Sequence, residues 1–125
     1  MNDEVVTVGP DTLLVDVARE VAAHKIGAVP VIDRRKKLLG IISTSDLVAF
    51  LHDGGKLDAT VAREVMTKKL VAIDEFAPAE EAVGVIRDAD IHYLPVTRAG
   101  KLVGMVGASD LMRHLLQSYP DPDIA

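Results

Sequence analysis

The chain has 125 residues, about one domain's length, with 49% apolar and 26% charged side chains, an ordinary globular balance. Fourteen Lys and Arg against nineteen Asp and Glu leave a net charge of −5, and aromatics are 3% with no Trp, which argues against a broad grip on nucleic acid or anionic lipid. No Cys is present, which excludes disulfides, a thiolate nucleophile and Cys-ligated zinc; with no long apolar run and an acidic Met1-Asn2-Asp3-Glu4 start, the expectation is a cytoplasmic chain without a membrane partner.

In chain order, the β-branched run Val5–Val8 predicts a strand. Leu13, Leu14, Val17, Ala18 and Val21 then fall at helical spacing, with Asp11 or Thr12 as the expected N-cap. Two strands follow, Val29–Ile32 and Leu38–Ile42, the second so apolar that burial on both faces is expected. A helix starting at Asp46 stops before Asp53-Gly54-Gly55, and a connector over 53–67 carries a short helix, Ala59–Val65. The series then begins again. Leu70–Ile73 predicts a strand, and Pro78 with Glu80-Glu81 opens a helix whose first turn suits acids. Strands Leu94–Thr97 and Leu102–Val106 lead to a helix that starts at Asp110 and ends before Pro120.

The recurrence is a true internal repeat. Ile26-Gly27-Ala28-Val29-Pro30-Val31 aligns with Ile91-His92-Tyr93-Leu94-Pro95-Val96, and Lys37-Leu38-Leu39-Gly40-Ile41-Ile42 aligns with Lys101-Leu102-Val103-Gly104-Met105-Val106. Ser45-Asp46-Leu47 matches Ser109-Asp110-Leu111. The fold expected is α/β: two β-α-β-β-α units packed as an intramolecular pseudo-two-fold pair, since one unit cannot cover both faces of its own sheet. The division is repeat 1 over 1–52, connector over 53–67, repeat 2 over 68–119, and a frayed tail over 120–125.

These residues resemble a tandem CBS domain (cystathionine β-synthase domain) pair, or Bateman module. The resemblance rests on Gly27-Ala28-Val29-Pro30-Val31 with Gly40-Ile41-Ile42-Ser43-Thr44-Ser45-Asp46-Leu47, and in the second copy on Val65-Met66-Thr67, His92-Tyr93-Leu94-Pro95-Val96 and Gly104-Met105-Val106-Gly107-Ala108-Ser109-Asp110-Leu111. Repeat 1 lacks the family's usual lead-in segment, which Val65-Met66-Thr67 supplies for repeat 2. The resemblance implies a regulatory module, not an enzyme, that binds an adenosine-containing ligand (AMP, ADP, ATP or S-adenosylmethionine, with AMP or ATP favoured). It also implies a homodimer and an effector domain or partner protein outside this chain.

The family places each ligand between the two copies. That implies a preferred cleft formed by Ser43 and Asp46 with Val71, Ala72, His92, Tyr93 and Leu94. It implies a weaker second cleft formed by Asp110 with Val6, Thr7, Gly27, Ala28 and Val29. Asp46 is the residue expected to hold ribose hydroxyls, beside a helix N-terminus suited to phosphate. A duller role competes, because Ser43-Thr44-Ser45-Asp46 is also a capping-box pattern that needs no ligand. In the second copy Gly107 replaces Ser43, so that box is lost while Asp110 remains, and unequal sites are expected. His92, with Asp90 as its acidic neighbour, is placed near phosphate, a histidine being able to charge near neutral pH. Tyr93 competes as a core filler, and Lys25, Arg87 and Arg98 are solvated charges by default.

Neither catalytic nor metal-ligating spacing stands in the chain: His24, His52, His92 and His114 form no ligand motif, and no phosphate loop or nucleophile motif is present. No cofactor is expected. Two functions compete, nucleotide sensing and a dimerisation scaffold with empty or degenerate clefts built on Leu47, Val48 and Leu51 or on Leu111, Met112, Leu115 and Leu116. Nucleic-acid binding is opposed by the net charge.

Overall fold

A computed structural model describes residues 5–89 and 91–119, so the tail expected at 120–125 and the acid Asp90 lie outside the described residues. The first helix, α1 (Leu14–His24), forms because Leu14, Val17 and Val21 fall on one buried face. Its entry differs from expectation. Neither Asp11 nor Thr12 caps it; the N-cap is Leu13, without a side-chain bond. The Thr12 hydroxyl instead accepts the Gly9 N–H at 3.0 Å, and the Leu14 N–H donates to the Thr60 carbonyl at 2.8 Å. A carbonyl from a distant segment thus satisfies a donor that a local cap would otherwise serve.

After Lys25, left-handed at φ 53°, the chain forms an antiparallel hairpin of β1 (Ala28–Ile32) and β2 (Leu38–Ser43), with Ala28 opposite Ser43 and Pro30 opposite Ile41. Asp33 closes its turn by accepting the Arg35 and Lys37 N–H groups at 2.8 and 2.9 Å. Then α2 (Thr44–His52) begins directly from the strand, two residues earlier than Asp46. The strand expected over Val5–Val8 reduces to one parallel bridge, Val8 to Val31, held by hydrogen bonds of 3.1 and 2.9 Å. Its counterpart expected over Leu70–Ile73 is the two-residue β3 (Ile73–Asp74). In both cases the preceding residues leave the sheet to border the space between the repeats, Val5 and Val6 on one side and Val71 on the other.

The second repeat continues with α4 (Ala79–Ala89), β4 (Tyr93–Arg98), β5 (Lys101–Gly107) and α5 (Ala108–Leu116), in a sheet ordered β3-β4-β5. Burial on both faces belongs to β1 and to the centre of β4, not to β2 and β5 as expected. β2 instead alternates between core and cleft, with Ile42 fully buried and Ile41 facing the cleft.

The connector holds a 3₁₀ turn at Leu57–Ala59 and only a four-residue α3 (Ala62–Val65). It folds onto repeat 1. Ala62 is fully buried among that repeat's core residues, and Thr67 pairs with Ile41 through two backbone bonds of 3.2 and 2.9 Å. The two hairpins also join at their turns, where Leu102 N–H donates to Lys36 O at 2.9 Å. The architecture is α/β, two repeats packed as a pair.

A candidate ligand site between the two repeats

Each repeat delivers a helix N-terminus directly from the end of a strand. The Thr44 N–H donates to Gly27 O at 2.9 Å, and the equivalent Ala108 N–H donates to His92 O at 2.8 Å, so both junctions share one frame. The first residues of α2 and α5, Thr44 to Asp46 and Ala108 to Asp110, border a cleft of about 820 Å³ between the repeats. A helix N-terminus concentrates unpaired N–H groups and partial positive charge, so two of them bordering one cleft favour an anion there.

Of the residues expected in the preferred cleft, Ser43, Asp46, Val71, His92 and Tyr93 border it. Leu94 does not: it is fully buried in the second repeat's core, and Ala72 is exposed outside the lining. In the smaller cleft, about 370 Å³, Val6, Ala28 and Asp110 are present. Gly27 borders the larger cleft instead, Thr7 borders neither, and Val29 is fully buried in the first core. Strand alternation explains both exceptions on the strands: Ala28 and Pro30, like Tyr93 and Pro95, face the clefts, which turns Val29 and Leu94 inward.

The two acids are held differently. Asp46 closes a capping box: its Oδ2 accepts the Ser43 N–H at 2.8 Å, while the Ser43 hydroxyl accepts the Asp46 N–H at 3.1 Å. Its Oδ1 has no partner among the described residues. Asp110 caps nothing. Its side chain is 67% exposed and pairs with Arg113 one turn along α5.

Sequence reasoning missed Lys69, Thr67, Thr44, Ser45 and Ser109, all of which border the larger cleft. Lys69 is the cation among them, and its signal is the Thr67-Lys68-Lys69 run just after the apolar-Met-Thr turn. Arg87 and Arg98 are engaged elsewhere, their guanidinium groups held above the ordinary range by hydrogen bonds to Asp88 and Glu75. Arg98 also lies over the Phe76 ring, 5.8 Å from its centroid. Among the described residues no cluster of three or more His, Asp or Glu could hold a metal ion, and no helix is long and apolar enough to cross a membrane.

Comparison with known proteins agrees with the repeat. The family model for the CBS domain matches residues 1–53 and 62–117. A protein of Methanopyrus kandleri is 31% identical over 112 residues, covering 88% of this chain and 57% of its own length. The inosine-5'-monophosphate dehydrogenase of Aquifex aeolicus is 31% identical over 118 residues, 93% of this chain but 23% of the enzyme. A solved structure, CBSX2 in complex with AMP, superposes with a TM-score of 0.82 at 27% identity, covering 93% of this chain and 90% of the other. This chain belongs to the CBS domain family, and its two repeats form a CBS pair, a Bateman module.

Proposed function

We propose that the chain is a regulatory module, not an enzyme, that senses an adenosine nucleotide, AMP or ATP, in the cleft bordered by Asp46. The observation that carries this reading is the convergence of two helix N-termini, Lys69 and His92 on one inter-repeat cleft. Asp46 Oδ1 takes a ribose hydroxyl while Oδ2 stays on the Ser43 N–H, so binding need not dismantle the cap. Lys69 and His92, beside the N-terminus of α2, take phosphate. Val71, Ile91 and Pro95 offer apolar surface to the base. The relative solved with AMP supports the ligand class.

The chain spans 57% of the M. kandleri relative and 23% of the dehydrogenase, so the effector it regulates is proposed to be an attached domain or a separate partner. A nucleotide changes that effector only through a difference in its affinity for two packings of the repeats. Homodimerisation through α2 and α5 is part of the proposal, since Val48, Leu51, Met112 and Leu116 stay at least half exposed there.

A second reading, a dimerising scaffold without ligand, is favoured by one observation: Asp110 is committed to Arg113. Thermal unfolding of ligand-free protein against AMP, ADP, ATP, S-adenosylmethionine and a guanosine control separates the two. A ligand at 100 times its Kd adds about 2.7 kcal/mol, which moves the midpoint by several degrees. Asp46→Ala, referred to its own ligand-free midpoint, is expected to lose that shift. A flat panel would leave the scaffold as the better reading.

A further inference from the structure

Equivalent strand positions of the two repeats border the same space with unequal volume. In the first repeat Ala28 stands opposite Ser43; in the second, Tyr93 stands opposite Gly107. The Tyr93 ring crosses to the first repeat and lies on Gly27, where an added Cβ would come within 2.2 Å of the hydroxyl and 2.5 Å of the ring. On its other side, a Cβ on Gly107 would meet the ring at 3.6 Å. The ring therefore occupies the room that Gly27 leaves and lies in ordinary contact with Gly107. Its ring borders both clefts, as do Ala28, Gly107 and Asp110.

The two clefts are in this sense one space divided unequally, about 820 Å³ against 370 Å³. Ligand pockets run from about 300 to 1,000 Å³, so the smaller lies near the floor of that range. Ala28 and Gly107 have almost no side chain to withdraw, and Asp110 is paired with Arg113. Of the four residues that border both clefts, Tyr93 has by far the largest side chain, so its ring is the main barrier between them.

We propose that Tyr93 is a partition that limits each chain to one nucleotide, held in the Asp46 cleft; this rests on the nucleotide reading above.

The test is binding stoichiometry by calorimetric titration of the full chain with AMP and, separately, with ATP. The wild type is expected to take one nucleotide per chain. The double variant Tyr93→Ala/Gly107→Ser transplants the Ala28 and Ser43 pair into the second repeat and is expected to take two. Tyr93→Phe keeps the ring and is expected to stay at one. Two sites in the wild type or in Tyr93→Phe would overturn the partition while leaving nucleotide binding intact. One site in a double variant that still unfolds cooperatively would overturn it equally. Should that variant not fold, Tyr93→Ala alone carries the same expectation, and the wild-type count decides on its own. No binding of either nucleotide by the wild type would overturn the nucleotide reading, and the partition with it.

Discussion

The two repeats share a pattern but not a core. Among the described residues, the first repeat buries nine in one cluster, from Val8 to Leu47 together with Ala62 of the connector. The second has a cluster of three, Ala82, Leu94 and Leu111, with Val71, Ile73, Val106 and others only partly covered against it and Val96 and Leu102 buried outside it. Composition explains only part of this, in that α5 carries Arg113 and His114 where α2 has Ala49 and Phe50; it does not account for the extra cover over the first repeat. The connector does: Leu57, Ala62, Val65 and Met66 all pack against the first repeat, and Thr67 extends the edge of its sheet at Ile41. Burial drives stability roughly in proportion to the apolar area removed from water, so a segment that covers one repeat makes that repeat the better-packed half.

The largest test of that inequality compares equivalent leucines. Leu47→Ala is expected to cost about 2–5 kcal/mol in urea denaturation, as a large-to-small change in a closed core does, and Leu111→Ala visibly less. Equal losses would show the two cores to be energetically alike. A smaller effect probes the contact between repeats: Gly27→Ala is expected to cost about 1–3 kcal/mol, because its Cβ collides with the Tyr93 ring, and most of that cost should vanish in a Tyr93→Ala background. Additive losses in the double variant would mean that the cost of Gly27→Ala arises elsewhere than at the ring.

The helix starts differ in the same sense. Ser43→Ala removes a capping hydroxyl and is expected to lower stability by about 0.5–2 kcal/mol by denaturant titration. Gly107→Ala, where no side chain caps α5 and the new methyl meets only ordinary contacts, should change it by a few tenths. Smallest is Arg113→Ala, which breaks an exposed pair with Asp110; a shift beyond about 0.5 kcal/mol would show that this pair is more than a surface contact.

Much of the fold and part of the site were legible in the residues. The repeat was plain because Pro30 and Pro95, Gly40 and Gly104, and Asp46 and Asp110 recur in order. Helices with a clear apolar face, such as α4, fell close to expectation. Less legible were the strands at 5–8 and 70–73, whose composition is β-like but whose backbones find only one or two ladder partners. The capping box at Ser43 and Asp46 was visible because its partners are three residues apart. Lys69 was not, since a lysine after a turn looks the same whether it meets solvent or a cleft.

Local chemistry reaches a few residues along the chain, and within that reach periodicity, capping and turn residues determine the elements and their order. Everything that joins residue 27 to residue 93, or residue 14 to residue 60, lies beyond it. Tertiary structure alone decided that the Thr60 carbonyl serves α1, that the connector covers the first repeat rather than the second, and that the Tyr93 ring rests on Gly27. Each is a choice between packings of similar local preference, settled by which arrangement buries the most apolar surface without stranding a backbone donor.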